Sequence, residues 1–525
     1  MSSKTAQSQA KRPSLASRRH RLQSPISLDD REWKFQVPKL PSAQELDKSR
    51  RVKTISLITT KGRNEIVLSF ETAEDNRATR GDPLNKFLVV SIAEFRPQPR
   101  AADSAPAAGG SRQSLTPLTA RECADYATRL LKAGVKLQGV HYNFYGHSNS
   151  QLKSRTCFLY AAPREEITRK VEALGDFGKM KTVAKKAKRI GLLFSTAKVA
   201  TIISPDRVED IGDIETADYV FTDGCGLISP RLAQELARRV GIAFRDRRYT
   251  PSVMQIRYRG YKGVVTLDPT MAANKQVLLR MRKSMKKFSG GDDHSFSVVE
   301  YSKVGHCLGD GTLGSVFPAN TPPKQPYTYG FLNDEVIVLL SALGVDRAVF
   351  KRKQVEHFQV LSDALHDPRS AFRFLSCVNM PKLAEQVLVD SLESVLPRLR
   401  ALVKNEYAKM LNKRDEQKCR VLIPRSRLLF GVCDAWGVLK EGECAVKITM
   451  EGDGQPAALK GCEVLVTRNP CLHPGDLQKF KVVEKPELAH LVDCIVFSTH
   501  GKRPAADMMS GGDLDGDTCE CRPSL

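Results

Sequence analysis

Hydrophobic and polar positions divide the chain into stretches of different period. Residues 1–50 are rich in Ser and charge with no lasting apolar period, and read as a disordered basic tail. From Val52 to Ile92, runs such as Thr54-Ile55-Ser56-Leu57-Ile58 and Phe87-Leu88-Val89-Val90-Ser91 predict strands, giving a small β segment over 51–96. Residues 97–118, rich in Ala, Gly, Ser and Pro, break the pattern and read as a flexible linker. At Thr119, a good N-cap residue, helical spacing begins with Cys123, Ala127, Leu130 and Leu131 on one face. The region 119–205 is expected to be helical and basic. Its helix-like stretch 177–194 carries Lys179, Lys181, Lys185, Lys186, Lys188 and Arg189, either a solvated face or a contact for phosphates. A loop with Tyr142, Phe144, Tyr145, Asn149 and Gln151 sets aromatics among polar groups, for partial burial or for stacking on bases.

Between 206 and 310 short strand-like runs alternate with turns and predict a compact β unit: Tyr219-Val220-Phe221, Asp223-Gly224-Cys225-Gly226, and residues 254–258, 263–267, 277–281 and 296–301. Arg257, Arg259, Lys262, Arg280, Arg282, Lys283, Lys286 and Lys287 make it cation-rich. Arg257 and Arg259, two apart, would share one strand face and could meet an RNA backbone or simply solvate an edge. Residues 311–420 are mostly of helical period and form a helical spacer. A second β unit follows over 421–525, with strands near 427–432, 444–450, 463–467 and 494–498. The fold class expected is α+β, with two β units separated by a helical domain.

Composition adds the partner. Lys and Arg outnumber Asp and Glu by 82 to 59, a net charge of +23, which points to a polyanion, nucleic acid before an acidic membrane. The tail holds 11 basic against 5 acidic residues, so most of the excess belongs to the folded body. Thirteen scattered cysteines, with Cys519 and Cys521 too close for zinc spacing, predict free thiols in a reducing interior. With neither a signal-peptide core nor a membrane-length apolar run, a cytoplasmic or nuclear protein is expected, Lys11-Arg12 and Arg18-Arg19-His20-Arg21 being short basic clusters.

The densest chemistry lies in Met508-Met509-Ser510-Gly511-Gly512-Asp513-Leu514-Asp515-Gly516-Asp517. On an extended backbone Asp513, Asp515 and Asp517 would face one side, where their repulsion calls for a hard cation such as Mg²⁺. An EF-hand loop does not fit, because its glycine and its final glutamate are both misplaced. A phosphatase of the haloacid-dehalogenase type would open a domain after an apolar strand, which is not the setting here. An acidic surface turn and a polymerase-type metal site remain. Gly291-Asp292-Asp293 has the letters of a viral polymerase turn but lies in a polar context after Phe288-Ser289-Gly290, and reads as a loop.

The aspartate loop resembles the DxDGD signature of the eukaryotic cellular RNA-dependent RNA polymerases of the RNA-silencing type. Arg468-Asn469-Pro470-Cys471-Leu472-His473-Pro474-Gly475-Asp476 is similar to that family's RNPCLHPGD element. Gly146-His147-Ser148-Asn149-Ser150-Gln151, Thr222-Asp223-Gly224-Cys225-Gly226-Leu227-Ile228-Ser229, Arg259-Gly260-Tyr261-Lys262-Gly263-Val264 and Ser284-Met285-Lys286-Lys287-Phe288 resemble further elements in the same order. The resemblance implies two double-psi β-barrel-type units and catalytic Mg²⁺, with Mn²⁺ as a substitute, on Asp513, Asp515 and Asp517. It implies substrate contacts from Lys262 and Lys286, with Lys287 as the near alternative, and from Arg468, Asn469 and His473. Arg257, Arg259, Lys185 and Arg189 are RNA-contact candidates. Implied partners are a single-stranded RNA template, NTPs and RNA-silencing proteins, with no membrane. Family members run on well past this loop whereas the sequence ends at Leu525, so a truncated, incomplete second barrel is expected, and a non-catalytic RNA-binding remnant is the alternative.

Overall fold

The computed structural model describes residues 26–27, 33–36, 50–60, 63–96, 118–244, 247–274, 276–291, 294–302, 328–378, 380–411, 420–449 and 455–523. Most of the tail, the linker residues 97–117 and Asp292-Asp293 lie outside them. Two compact units emerge: residues up to Ala197 together with 288–293, and Lys198–Lys287 together with His294–Leu525.

An eight-stranded sheet organises the first unit. Strands Arg51–Thr60 and Arg63–Thr72 pair antiparallel in unbroken register, their alternating apolar residues facing the core. Phe87–Ser91 joins them to Thr156–Tyr160, which pairs in turn with Val140–Gly146. The segments 51–96 and 119–205 therefore share one sheet, and the second is mixed rather than helical. Its helices are Ala120–Ala133, Asn149–Lys153, Arg164–Ala173 and Val183–Ile190. Thr119 does cap the first of them, in a reciprocal capping box with Glu122. Tyr142 and Tyr145 lie on a strand and are buried, so they pack the core instead of offering faces to bases; Tyr145 donates its hydroxyl to Ala78 O at 2.7 Å. Helix period over 177–194 narrows to Val183–Ile190 because Phe177 and Phe194 turn inward to the core at its flanks.

The second unit contains two β units and the helices between them. The first β unit is an open seven-stranded sheet in the order Val208–Ile211, Leu279–Arg282, Cys225–Ile228, Tyr261–Leu267, Val253–Tyr258, Ser295–Tyr301 and Val199–Ile202. Helix Pro230–Val240, capped by Ser229, buries Leu232, Ala233, Leu236 and Ala237 against its core. Helices Asp334–Ala342, Arg347–Asp363, Pro368–Cys377, Pro381–Val389 and Leu392–Leu411 form the spacer.

The second β unit departs from expectation. Arg420–Cys433, Cys494–Phe497, Glu443–Thr449, Gln478–Val482, Glu463–Arg468 and Thr518–Pro523 pair in a ring, the last strand bonding both Glu463–Arg468 and Arg420–Cys433. This six-stranded barrel is closed, not incomplete: six residues after the aspartate loop suffice to supply its last strand. Its core, including Val432, Val464, Val466 and Ile495, also takes in Cys225, Val253 and Val264 of the first β unit. Tyr249 donates to Asp493 Oδ2 at 3.3 Å, Ser252 to His490 O at 3.1 Å, and His490 Nε2 to Leu267 O at 2.9 Å, sewing the two sheets together. Among the described residues, no helix is long and apolar enough to cross a membrane.

Candidate active site

Strand Cys494–Phe497 and the short helix Ala505–Met508 deliver the chain to the aspartate loop, and strand Thr518–Pro523 leaves it. The loop is a series of bends rather than an extended strand, with Ser510, Gly511 and Gly516 at φ +58°, +60° and +127°. It gathers the carboxylates all the same: one oxygen from each of Asp513, Asp515 and Asp517 lies within 4.8 Å of the others. Three hard oxygen donors converging in a half-buried pocket suit a divalent cation, so the residues fit Mg²⁺ or Mn²⁺.

Each carboxylate meets a different field. Lys262 Nζ donates to both oxygens of Asp515 at 2.5 Å, and Arg468 Nε to Asp517 Oδ2 at 2.5 Å. Burial pushes the Asp513 carboxyl up, and the charges of Asp515 and Asp517 push the same way, to about 6. Burial acts likewise on Asp515, but the Lys262 charge and hydrogen bond outweigh it and hold that carboxyl below its ordinary range.

The facing wall comes from the first β unit. Strands Val253–Tyr258 and Tyr261–Leu267 form a hairpin that sets Arg257 directly opposite Lys262. Its two-residue turn is Arg259-Gly260, at φ +42° and +86°, the left-handed pair that tight hairpins require. Arg259 thus leaves the strand and does not share a face with Arg257 as the alternation suggested. Arg257 is desolvated enough that its pKa falls to about 10, with Asp515 opposing the fall; its buried Nε has no hydrogen-bond partner among the described residues. Lys286 is exposed and sits over the Tyr261 ring, 5.3 Å from the centroid. Lys287 turns the other way: its side chain is 11% exposed, with Nζ 3.7 Å from Asp223 Oδ1.

Asn469 accepts from Asn333 Nδ2 at 3.1 Å, and His473 Nδ1 accepts the Gly475 amide at 3.0 Å, so both shape the 469–476 turn. Lys185, exposed, and Arg189, half-buried, stand on Val183–Ile190 in the first unit.

Three residues near the triad carried no assigned role in the sequence reading. Asp476 accepts the amides of Leu472, His473 and Ser510, at 2.9, 3.0 and 2.9 Å, and so fastens the arginine-bearing turn to the aspartate loop. Asp223 presents a carboxylate whose pKa burial raises, and its carbonyl accepts the Leu514 amide at 3.0 Å. Gln255 Nε2 donates to Asp515 O at 3.1 Å. Asp476 and Asp223 stand inside quoted motifs, whereas Gln255 sits in an unremarkable strand with no sequence signal to single it out.

With three carboxylates on one side and Lys262, Lys287 and Arg257 on the other, the cleft can hold a metal and a phosphate chain together. The model of a family described as RNA dependent RNA polymerase matches residues 66–522. A probable RNA-dependent RNA polymerase 1 of Oryza sativa subsp. japonica is 32% identical over 452 residues, 84% of this chain and 56% of its own. RNA-dependent RNA polymerase 1 of Arabidopsis thaliana is 32% identical over 83% of this chain and 36% of its own. Among solved structures, RNA dependent RNA polymerase QDE-1 from Thielavia terrestris aligns with a TM-score of 0.66 at 22% identity, covering 93% of this chain and 56% of that one. That likeness extends to the double-psi type of barrel. The chain thus spans between about a third and a little over half of these relatives' lengths.

Proposed function

This chain belongs to the RNA-dependent RNA polymerase family, and from that premise we propose that it carries the nucleotide-adding centre of an RNA-templated polymerase acting in RNA silencing. The observation that carries the reading is the convergence of Asp513, Asp515 and Asp517 opposite Lys262. Asp513, Asp515 and Asp517 would hold Mg²⁺, or Mn²⁺ in its place. Bound there, the cation supplies charge neutralisation and a lowered pKa for an attacking 3′-hydroxyl. Lys262, released from Asp515, offsets charge on the triphosphate of an incoming NTP, and Lys287 and Arg257 add to that field. Lys286 lies further along the same wall. Arg468, which donates to Asp517, is offered as the contact for the nucleotide sugar. Asn469 and His473 keep the turn that carries it in shape.

Single-stranded RNA is the template this reading requires, and the chain's +23 charge suits its backbone. Lys185, Arg189 and Arg259 are offered as backbone contacts. Silencing proteins are the expected partners, in cytoplasm or nucleus.

The test is incorporation of labelled NTPs on a single-stranded RNA template with Mg²⁺. Asp515→Ala should abolish incorporation while leaving the melting temperature within a few degrees of the parent. Undiminished synthesis by that variant would sink the reading. RNA retention without synthesis in the parent protein would support a non-catalytic RNA-binding role instead.

A further inference from the structure

We infer that Gln255 is a positioning residue, the side chain by which the first β unit fixes the backbone of the aspartate loop and hence the reach of its carboxylates. Three backbone groups of the loop are gripped from that side. The Leu514 amide donates to Asp223 O at 3.0 Å, Cys225 Sγ contacts Leu514 O at 3.8 Å, and Gln255 Nε2 donates to Asp515 O at 3.1 Å. Asp223 acts through its main chain and a thiol is a weak donor, so of the three the Gln255 bond is both strong and removable by substitution.

The fit around that bond is tight on two sides. A Cβ on Gly516 would fall 1.6 Å from Gln255 Nε2, and one on Gly224 would fall 2.7 Å from Asp515 Cα. Bare backbone lets the loop lie flat between the Asp223-Gly224 turn and the Gln255 amide.

The strand itself holds the side chain on this face. Val253–Tyr258 keeps unbroken register with Tyr261–Leu267, which sets Gln255 opposite Val264, and where it meets Ser295–Tyr301 the extra residue is Val299, on the partner strand. Gln255 also shares its strand face with Arg257, two residues on, and Arg257 pairs across the hairpin with Lys262. One face therefore holds Asp515 twice, by its carbonyl through Gln255 and by its carboxylate through Lys262. A carboxylate at position 255 could not donate to a carbonyl, and a thioether could not either.

Gln255→Met and Gln255→Glu in the full chain test this, with hydrogen–deuterium exchange of peptides covering 510–518 as the first readout. Exchange there should speed by roughly three- to tenfold in both variants, with the rest of the second barrel and the melting temperature as in the parent. The second readout is Mn²⁺ binding by electron paramagnetic resonance, which should weaken by about ten- to a hundredfold, the usual effect of removing an outer support of a metal ligand. Only this second readout rests on the metal reading of the triad. If the parent bound no Mn²⁺ that reading would fail, and the exchange comparison would still decide the role of Gln255. Unchanged exchange over 510–518, or a speeding spread evenly through the barrel, overturns the inference.

Discussion

At Gly516 the aspartate loop has no room for a side chain and no ordinary backbone conformation. Its φ of +127° is one that L residues rarely adopt, and an added Cβ would sit 1.6 Å from the Gln255 amide. Gly516→Ala is expected to cost at least about 2 kcal/mol, strain and overpacking adding, read as a lower denaturant midpoint. Loss of that cost on combination with Gln255→Ala would show that the contact, not φ, dominates. Asp513 and Asp515 differ in acidity for an electrostatic reason. Lys262 answers the charge of Asp515 directly, while Asp513 answers to burial and to its charged neighbours, so of the two it has more to gain from a cation. Lys286 and Lys287, adjacent in sequence, divide between the Tyr261 ring and the Asp223 carboxylate, a split that adjacency cannot reveal.

At the scale of elements, the hairpin Val253–Tyr258 and Tyr261–Leu267 is the frame on which the site is hung. Tyr261–Leu267 runs parallel beside Cys225–Ile228, and at Gly263 the approach is so close that a Cβ would meet Gly224 O at 2.2 Å. Gly263→Ala should therefore push the two strands apart, at about 1–3 kcal/mol, and displace the Asp223-Gly224 turn from the aspartate loop. Thermal melting and exchange of residues 222–228 would show it; parent-like values in both would mean that the sheet absorbs the methyl group. Much of this frame was legible beforehand. The stretch 254–258 alternates apolar and polar residues, 263–267 and 296–301 are short strand-like runs, and the three aspartates and Lys262 stand in motifs. What escaped reading has physical reasons. Val140–Gly146 buries Tyr142, Asn143 and Tyr145 but exposes Val140, His141 and Phe144, so no clean alternation marks it as a strand until its partner is known. Thr518–Pro523 is short and Cys-rich, and its role in closing the barrel depends on pairing with strands some 50 and 90 residues earlier. Gln255 is one polar residue on a largely buried strand, and only the facing loop gives it meaning.

At the scale of the molecule, the second unit works because its two β sheets share one core and a polar seam, and the seam predicts how the protein meets acid. His490 is half-buried with its Nε2 hydrogen donated to Leu267 O and its ring edge-on to Trp436, centroids 4.9 Å apart. Burial holds its pKa below the ordinary 6.5; Asp268 opposes that fall and Lys447 reinforces it. The unfolded chain therefore binds this proton more tightly than the folded one. The stability it confers is complete above the ordinary imidazole range and is lost as pH falls through the depressed value. His490→Gln, which keeps a donor for Leu267 O and cannot titrate, should flatten that dependence. Between about pH 7.5 and about pH 5.5 the parent's denaturation midpoint should fall further than the variant's. Equal falls would assign the acid sensitivity elsewhere.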